Sequence, residues 1–221
     1  MNAELAASPP GRPPLWPRLL AVPVVVAITL LGLWVAGGVI TDDFRASMGL
    51  SALWFALAFA ASAAIAWRQR SLAWPVLGTF LVTAGAVAVY LGYATLVDRV
   101  VNEQVVVATA PGNSAAGSGA FTSAAHETRG TATVVELADG RRLLTLTDFA
   151  TDPGPDLRVY LAPAPGNVSG AVDLGALKGN RGNQQYAIPA GLDLAALPTV
   201  IVWCRAFSVE FGSARLAGVA P

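Results

Sequence analysis

The one cysteine of the chain, Cys204, is the residue best suited to redox chemistry. It ends an apolar run, residues 199–204, in which alternation places it on the same face as Val200 and Val202. A thiol can cycle between reduced and oxidised states or bind a prosthetic group through sulfur. A free cysteine is also among the most buried residue types, so a packed core residue is the competing interpretation. A single cysteine excludes an intramolecular disulfide and every CxxC motif.

The one histidine, His126, lies just before the first predicted strand and is the second candidate. His126 is either a loop residue that forms hydrogen bonds or, if it approaches Cys204, a second ligand of a prosthetic group bound to that cysteine. One histidine excludes a multi-histidine zinc site and bis-histidine haem ligation within the chain, so we predict no metal site. Asp148, Asp152 and Asp156 recur at four-residue intervals, but they flank a Pro-Gly-Pro turn and lack the pattern of an EF-hand loop.

The remaining motifs exclude several kinds of enzyme. The glycine-rich segment 179–183 lacks the Gly-Lys-Ser/Thr sequence of a phosphate-binding loop, and no serine lies in a nucleophile elbow. Without an acid–base pair or an activated nucleophile, a hydrolase or transferase is not indicated. Lys and Arg number 14 and Asp and Glu number 14, so no net charge favours nucleic acid.

Three stretches without any charge dominate the first half of the chain: residues 19–41, 46–67 and 71–97. A helix needs about 20 apolar residues to cross the bilayer. The sequence therefore predicts three transmembrane helices, about 19–40, 48–67 and 72–96, after an N-terminal tail, residues 1–18. Gly78, Gly85 and Gly92 recur on one face of the third helix, and alanines 56, 60 and 64 recur on one face of the second. These small residues predict close helix packing within the chain or a homo-oligomer.

Basic residues predict the orientation of these helices. Arg12 and Arg18 lie in the tail and Arg68 and Arg70 in the second loop, whereas the first loop, 41–47, carries two aspartates and one arginine. The positive-inside rule places the tail and second loop in the cytoplasm and the chain after residue 97 outside. A cleaved signal peptide is the alternative for the first helix. The apolar run of this helix is, however, longer than the apolar region of a signal peptide, which has roughly 7–15 residues.

The second half of the chain predicts a separate β domain. The composition of residues 111–120, PGNSAAGSGA, predicts a flexible linker over about 98–118. Residues 119–219 then contain short branched apolar runs, which predict strands at about 131–137, 143–149, 157–161, 200–204 and 207–211. Turn residues separate these runs, with a hairpin turn at 138–140 and a turn at 152–156. The predicted fold class is mixed: a three-helix α anchor followed by an all-β antiparallel sandwich.

This β region resembles the electron-transfer domain family called DM-thirteen. Matching blocks occur in order along about 100 residues. They are Phe121, His126, Gly130, 146–149, 154–161, 173–175, 177–179, 182–184, Tyr186, 188–189, 200–204, 207–209 and 211–212. The resemblance implies a small β domain for electron transfer at the cell surface, whose motif cysteine acts as a bare thiol or attaches a group such as haem. By position that cysteine is Cys204.

Two functions therefore follow from the sequence. The first is a membrane-anchored extracytoplasmic redox domain, in which Cys204 is a bare thiol or ligates haem with His126, and which exchanges electrons with another protein. The second is a membrane-tethered binding or structural module in which Cys204 is packed in the core. The lipid bilayer is the one partner that both interpretations require.

Overall fold

The computed structural model describes residues 15–40 and 44–219. Three helices come first: α1 (Trp16–Gly38), α2 (Phe44–Arg68) and α3 (Thr79–Leu96). A 3₁₀ turn (Arg70–Leu72) and a π-helical turn (Trp74–Gly78) lead into α3. Proline removes a backbone donor from the helical ladder, which accounts for the irregular turn around Pro75.

By length and composition the three helical spans can cross a membrane, over Trp16–Ala36, Ala46–Arg68 and Arg70–Leu96. The prediction of three apolar helices is confirmed. Part of the predicted orientation depends on Arg12 and on loop residues 41–43, which lie outside the described residues.

The helices pack most closely where a small residue admits an aromatic side chain. A Cβ atom on Gly32 of α1 would overlap the indole of Trp54 on α2. The predicted glycine face of α3 behaves differently, because a Cβ on Gly85 or Gly92 would meet no atom within 4 Å among the described residues. Inside the chain, close packing therefore uses Gly32 rather than that face of α3.

Eight strands follow: β1 (Ser114–Ser123), β2 (Thr128–Glu136), β3 (Arg142–Thr151), β4 (Leu157–Ala162), β5 (Val172–Ala176), β6 (Gln184–Ile188), β7 (Thr199–Cys204) and β8 (Val209–Arg215). They form an antiparallel sheet in the order β5-β4-β7-β8-β1-β2-β3-β6. The sheet curls towards closure, and its two ends, β5 and β6, approach within 8 Å between Cα atoms. The predicted fold class is confirmed.

Strand β1 joins the two halves of this sheet. Its residues 114–120 pair with β2, and its residues 121–123 pair with β8. A Cβ on Gly119 would overlap the backbone of Arg215, so only glycine permits the close approach of the two chains there. Both halves face one core, which includes Leu144, Leu146, Val159 and Val202.

The structure differs from the flexible linker predicted over 98–118. Residues 98–106, here called the docking segment, lie along the β domain, and β1 begins at Ser114. The N–H of Val101 donates to the carbonyl of Arg181, and the N–H of Glu103 donates to Asn183, both at 2.9 Å. These contacts are hydrogen bonds of backbone groups, which leave no side-chain pattern, so the sequence did not reveal them.

Candidate functional site

Cys204 lies at the end of β7, where Leu157 of β4 and Val209 of β8 flank it in the sheet. Its side chain is 0% exposed and belongs to the same core cluster as Val200 and Val202. The predicted face is therefore confirmed, since the alternate residues of β7 pack into a second cluster on the other side.

The backbone N–H groups of Asp156, Ala206 and Phe207 lie close enough to the Cys204 sulfur to lower the pKa of its thiol. Two of these donors lie in the turn that follows β7, and the third lies just before β4. Burial raises the pKa of the Cys204 thiol above its usual range, and the three donors lower it by less than burial raises it. The resting group is a neutral thiol in a pocket of donors that would also stabilise an oxidised or ionised sulfur.

The cover over this sulfur comes from the 152–156 turn and from β8. A Cβ on Gly154 would lie 3.0 Å from both Leu157 and the Phe211 ring, so these three residues are in tight contact. The Arg205 guanidinium pairs with Asp156 at 2.8 Å, and the Arg205 N–H donates to the Asp156 carbonyl at 2.9 Å. These contacts fasten the turn that carries one of the sulfur's donors to the end of β7.

His126 lies at the surface beside the same turn. Its Nδ1 atom is 3.0 Å from Asp152 Oδ2, and its ring stacks on Phe211 with centroids 3.8 Å apart. The side chain is 35% exposed. Among the described residues no hydrogen bond joins His126 to Cys204, although Phe211 belongs to the core cluster that contains the cysteine. A carboxylate on Nδ1 orients the ring and leaves Nε2 for another partner.

The three aspartates of the predicted turn contact three different parts of the domain. Asp152 pairs with His126 and Asp156 with Arg205, whereas the Asp148 N–H donates to the Asn183 amide oxygen at 2.9 Å. No group of three potential metal-binding side chains occurs in the described part of the chain. The roles of Asp152 and Asp156 beside the two candidate residues were not recognised from sequence, although their common turn was.

The packing around Cys204 does not fit a haem. Three backbone N–H groups lie beside the sulfur, and no part of the side chain reaches the surface. A porphyrin bound through this sulfur would have to displace Leu157 and Phe211 from the core. His126 is on the outer side of Phe211, so the two predicted ligands do not face a shared space.

Comparison with known proteins places the β domain in a family. Residues 120–216 match the family model described as electron transfer DM13, the DM-thirteen domain named above. The predicted resemblance of the β region to the electron transfer DM13 family is therefore confirmed over residues 120–216. The three helices lie outside the matched residues. No curated protein and no solved structure matches the chain significantly.

Proposed function

We propose that this chain is a membrane-anchored electron-transfer protein whose DM13 domain uses Cys204 as its redox group. The observation that carries the proposal is the set of three backbone donors on a sulfur inside a domain of an electron-transfer family. Hydrogen bonds to sulfur are one of the means by which proteins tune its redox behaviour. The absence of room for a porphyrin favours the bare thiol over the haem-ligand form.

The thiol chemistry requires an oxidant, and a peroxide is the class small enough for a buried sulfur. Attack of the Cys204 sulfur on the peroxide forms an S–O bond, breaks the O–O bond and gives a sulfenic acid and water or an alcohol. The sulfur loses two electrons and the peroxide gains them. Opening of the 152–156 turn then lets a thiol of a redox partner protein condense with the sulfenic acid, which forms a mixed disulfide and releases water.

We propose further that the DM13 domain lies on the extracytoplasmic side. Arg18, Arg68 and Arg70 lie at the ends of the helices opposite to the end of α3, which supports this orientation by the positive-inside rule. Protease added to sealed cells is expected to cleave the β domain and spare the Arg68–Arg70 loop. Cleavage only in inverted vesicles would contradict this orientation.

The open glycine face of α3 also favours association between copies of the chain. Gly85 and Gly92 leave space that the described residues do not fill, and small residues permit close helix contacts in lipid. Crosslinking in vesicles is expected to give dimers or higher oligomers for the wild type and fewer for Gly85→Leu. A monomer at every protein-to-lipid ratio would contradict the proposed homo-oligomer.

The test of the redox function is a reaction of the full-length protein, in lipid nanodiscs, with hydrogen peroxide. Dimedone traps a sulfenic acid, and peptide mass spectrometry then locates it. We expect the adduct on Cys204 in the folded protein and none in Cys204→Ser. An adduct that forms only after denaturant is added would favour the structural module. A Soret band after haem is added would restore the haem-ligand form.

A further inference from the structure

A cavity of about 290 Å³ lies between the end of α3 and the β domain. We call it the junction cavity. On the helix side it is lined by Tyr90, Tyr93 and Ala94, and on the domain side by Asp156 and Leu157, with Arg99 where the two meet. The Tyr90 hydroxyl donates to the Pro155 carbonyl at 3.4 Å, which ties α3 to the turn that covers Cys204.

The junction cavity lies where α3 would leave the bilayer. The third apolar span ends at Leu96, so Tyr90 and Tyr93 fall within its last turns. Tyrosine prefers this depth because its ring is apolar and its hydroxyl can meet water. A ligand here would keep a polar headgroup between helix and domain while an apolar tail extends along α3 into the lipid.

The polar groups of the cavity fit a headgroup that accepts hydrogen bonds. Its carboxylates are already paired, Asp98 with Arg181 and Asp156 with Arg205. Arg99 forms no ion pair, and the Tyr93 hydroxyl no hydrogen bond, with any described residue. Arg99 and Tyr93 thus supply donors for a headgroup that accepts hydrogen bonds.

The same cavity is adjacent to the proposed redox group. Asp156 lines it, and the Asp156 N–H donates to the Cys204 sulfur. Leu157, also in the lining, is the strand neighbour of Cys204. Resting on the proposed redox function, we propose that the junction cavity binds the headgroup of a membrane-soluble quinone. A quinone carries two carbonyl acceptors, no charge and an apolar tail.

The experiment is photolabelling of the full-length protein in phosphatidylcholine nanodiscs with an azido-benzoquinone that has a short alkyl tail. We expect labelled peptides from residues 90–99 and 153–157, and displacement by the same quinone without the azide. Ala94→Trp fills the cavity and should lower labelling about tenfold, the equivalent of about 1.4 kcal/mol in affinity. The matched control is Val89→Trp, at an exposed position of α3 outside the lining, which should label as the wild type does.

Tyr93→Phe removes only a hydroxyl and keeps the test valid if the tryptophan variant does not fold. The loss of one hydrogen bond should lower labelling about fivefold. Three results would overturn the proposal: label spread evenly over the helices, label in the apolar groove that Leu31 of α1 and Leu53 of α2 help to line, or displacement by phosphatidylglycerol but not by quinone. Cys204→Ala should label as the wild type does, so a failure of the redox function leaves this result unaffected.

Discussion

Replacing Gly182 by alanine should release the docking segment from the β domain. Gly182 has φ +101°, and a Cβ there would overlap the carbonyl oxygen of Val101. A left-handed conformation costs an L-residue about 1–2 kcal/mol. Moving the chain away from the new methyl group also breaks the bonds from the N–H groups of Val101 and Glu103. At about 0.5–1.5 kcal/mol for each hydrogen bond, the local cost is about 2–5 kcal/mol altogether.

The matched control is Gly191→Ala. Gly191 has φ +76°, and its Cβ would meet no atom within 4 Å, so only the backbone conformation is penalised. Hydrogen exchange of the full-length protein, followed by mass spectrometry, measures the difference. The amides of Val101 and Glu103 should exchange about 5- to 150-fold faster in Gly182→Ala than in the control, which corresponds to about 1–3 kcal/mol. Equal exchange in the two variants would refute the docking of this segment.

Three other predictions concern single side chains. The Lys178 ammonium holds the pKa of Glu103 below its usual 4.5. Glu103→Gln should therefore weaken the docking of residues 98–106 near neutral pH, which hydrogen exchange of those residues measures. The difference in exchange between this variant and the wild type should disappear as the pH falls below 4.5 and Glu103 becomes protonated. Burial raises the pKa of Tyr186 to about 12, so stability should fall as the pH rises from about 10, and Tyr186→Phe should remove an absorbance step near pH 12. Cys204→Ala removes the sulfur beside three buried N–H donors, whereas Cys204→Ser keeps an acceptor there. The free energy of unfolding, measured in thermal melts, should therefore be about 1–3 kcal/mol lower for Cys204→Ala than for Cys204→Ser. A purely apolar site would give the opposite order.

The elements predicted correctly are those in which the pattern of apolar residues along the sequence reflects which side chains are buried. Charge-free runs identified the three helices, and branched apolar runs identified β2, β3, β4, β7 and β8. Strands β1, β5 and β6 were not predicted because they are built from small or polar residues. In β1 this composition serves the fold, since Gly119 allows the backbone of Arg215 to approach.

The sequence singled out Cys204 and His126 as candidate residues but did not reveal the groups that contact them. Alternation placed Cys204 on the inner face of β7, and the DM-thirteen blocks singled out the same residue. Its three donors are backbone groups, which leave no side-chain pattern, and the donor from Asp156 comes from a distant part of the chain. His126 and Asp152 are also far apart in the sequence, and the pairing of the start of β2 with the end of β3 brings them together.

Two parts of the chain hold the β domain against the end of α3. The docking segment holds the DM13 domain beside the end of α3, and the 152–156 turn contacts both Tyr90 and the sulfur of Cys204. A domain fastened in this way cannot reorient as freely as one on a flexible tether. We therefore expect Cys204, the proposed redox group, to stay near the membrane surface.

The most direct test of the central claim is a count of the electrons that the folded protein exchanges. Coulometric titration of the full-length chain in nanodiscs, with the Cys204→Ser variant as the control, measures this number. Oxidation of the thiol to a sulfenic acid consumes water and releases two electrons and two protons. The account predicts two electrons per chain for the wild type and none for Cys204→Ser. Identical titrations for both proteins would contradict it.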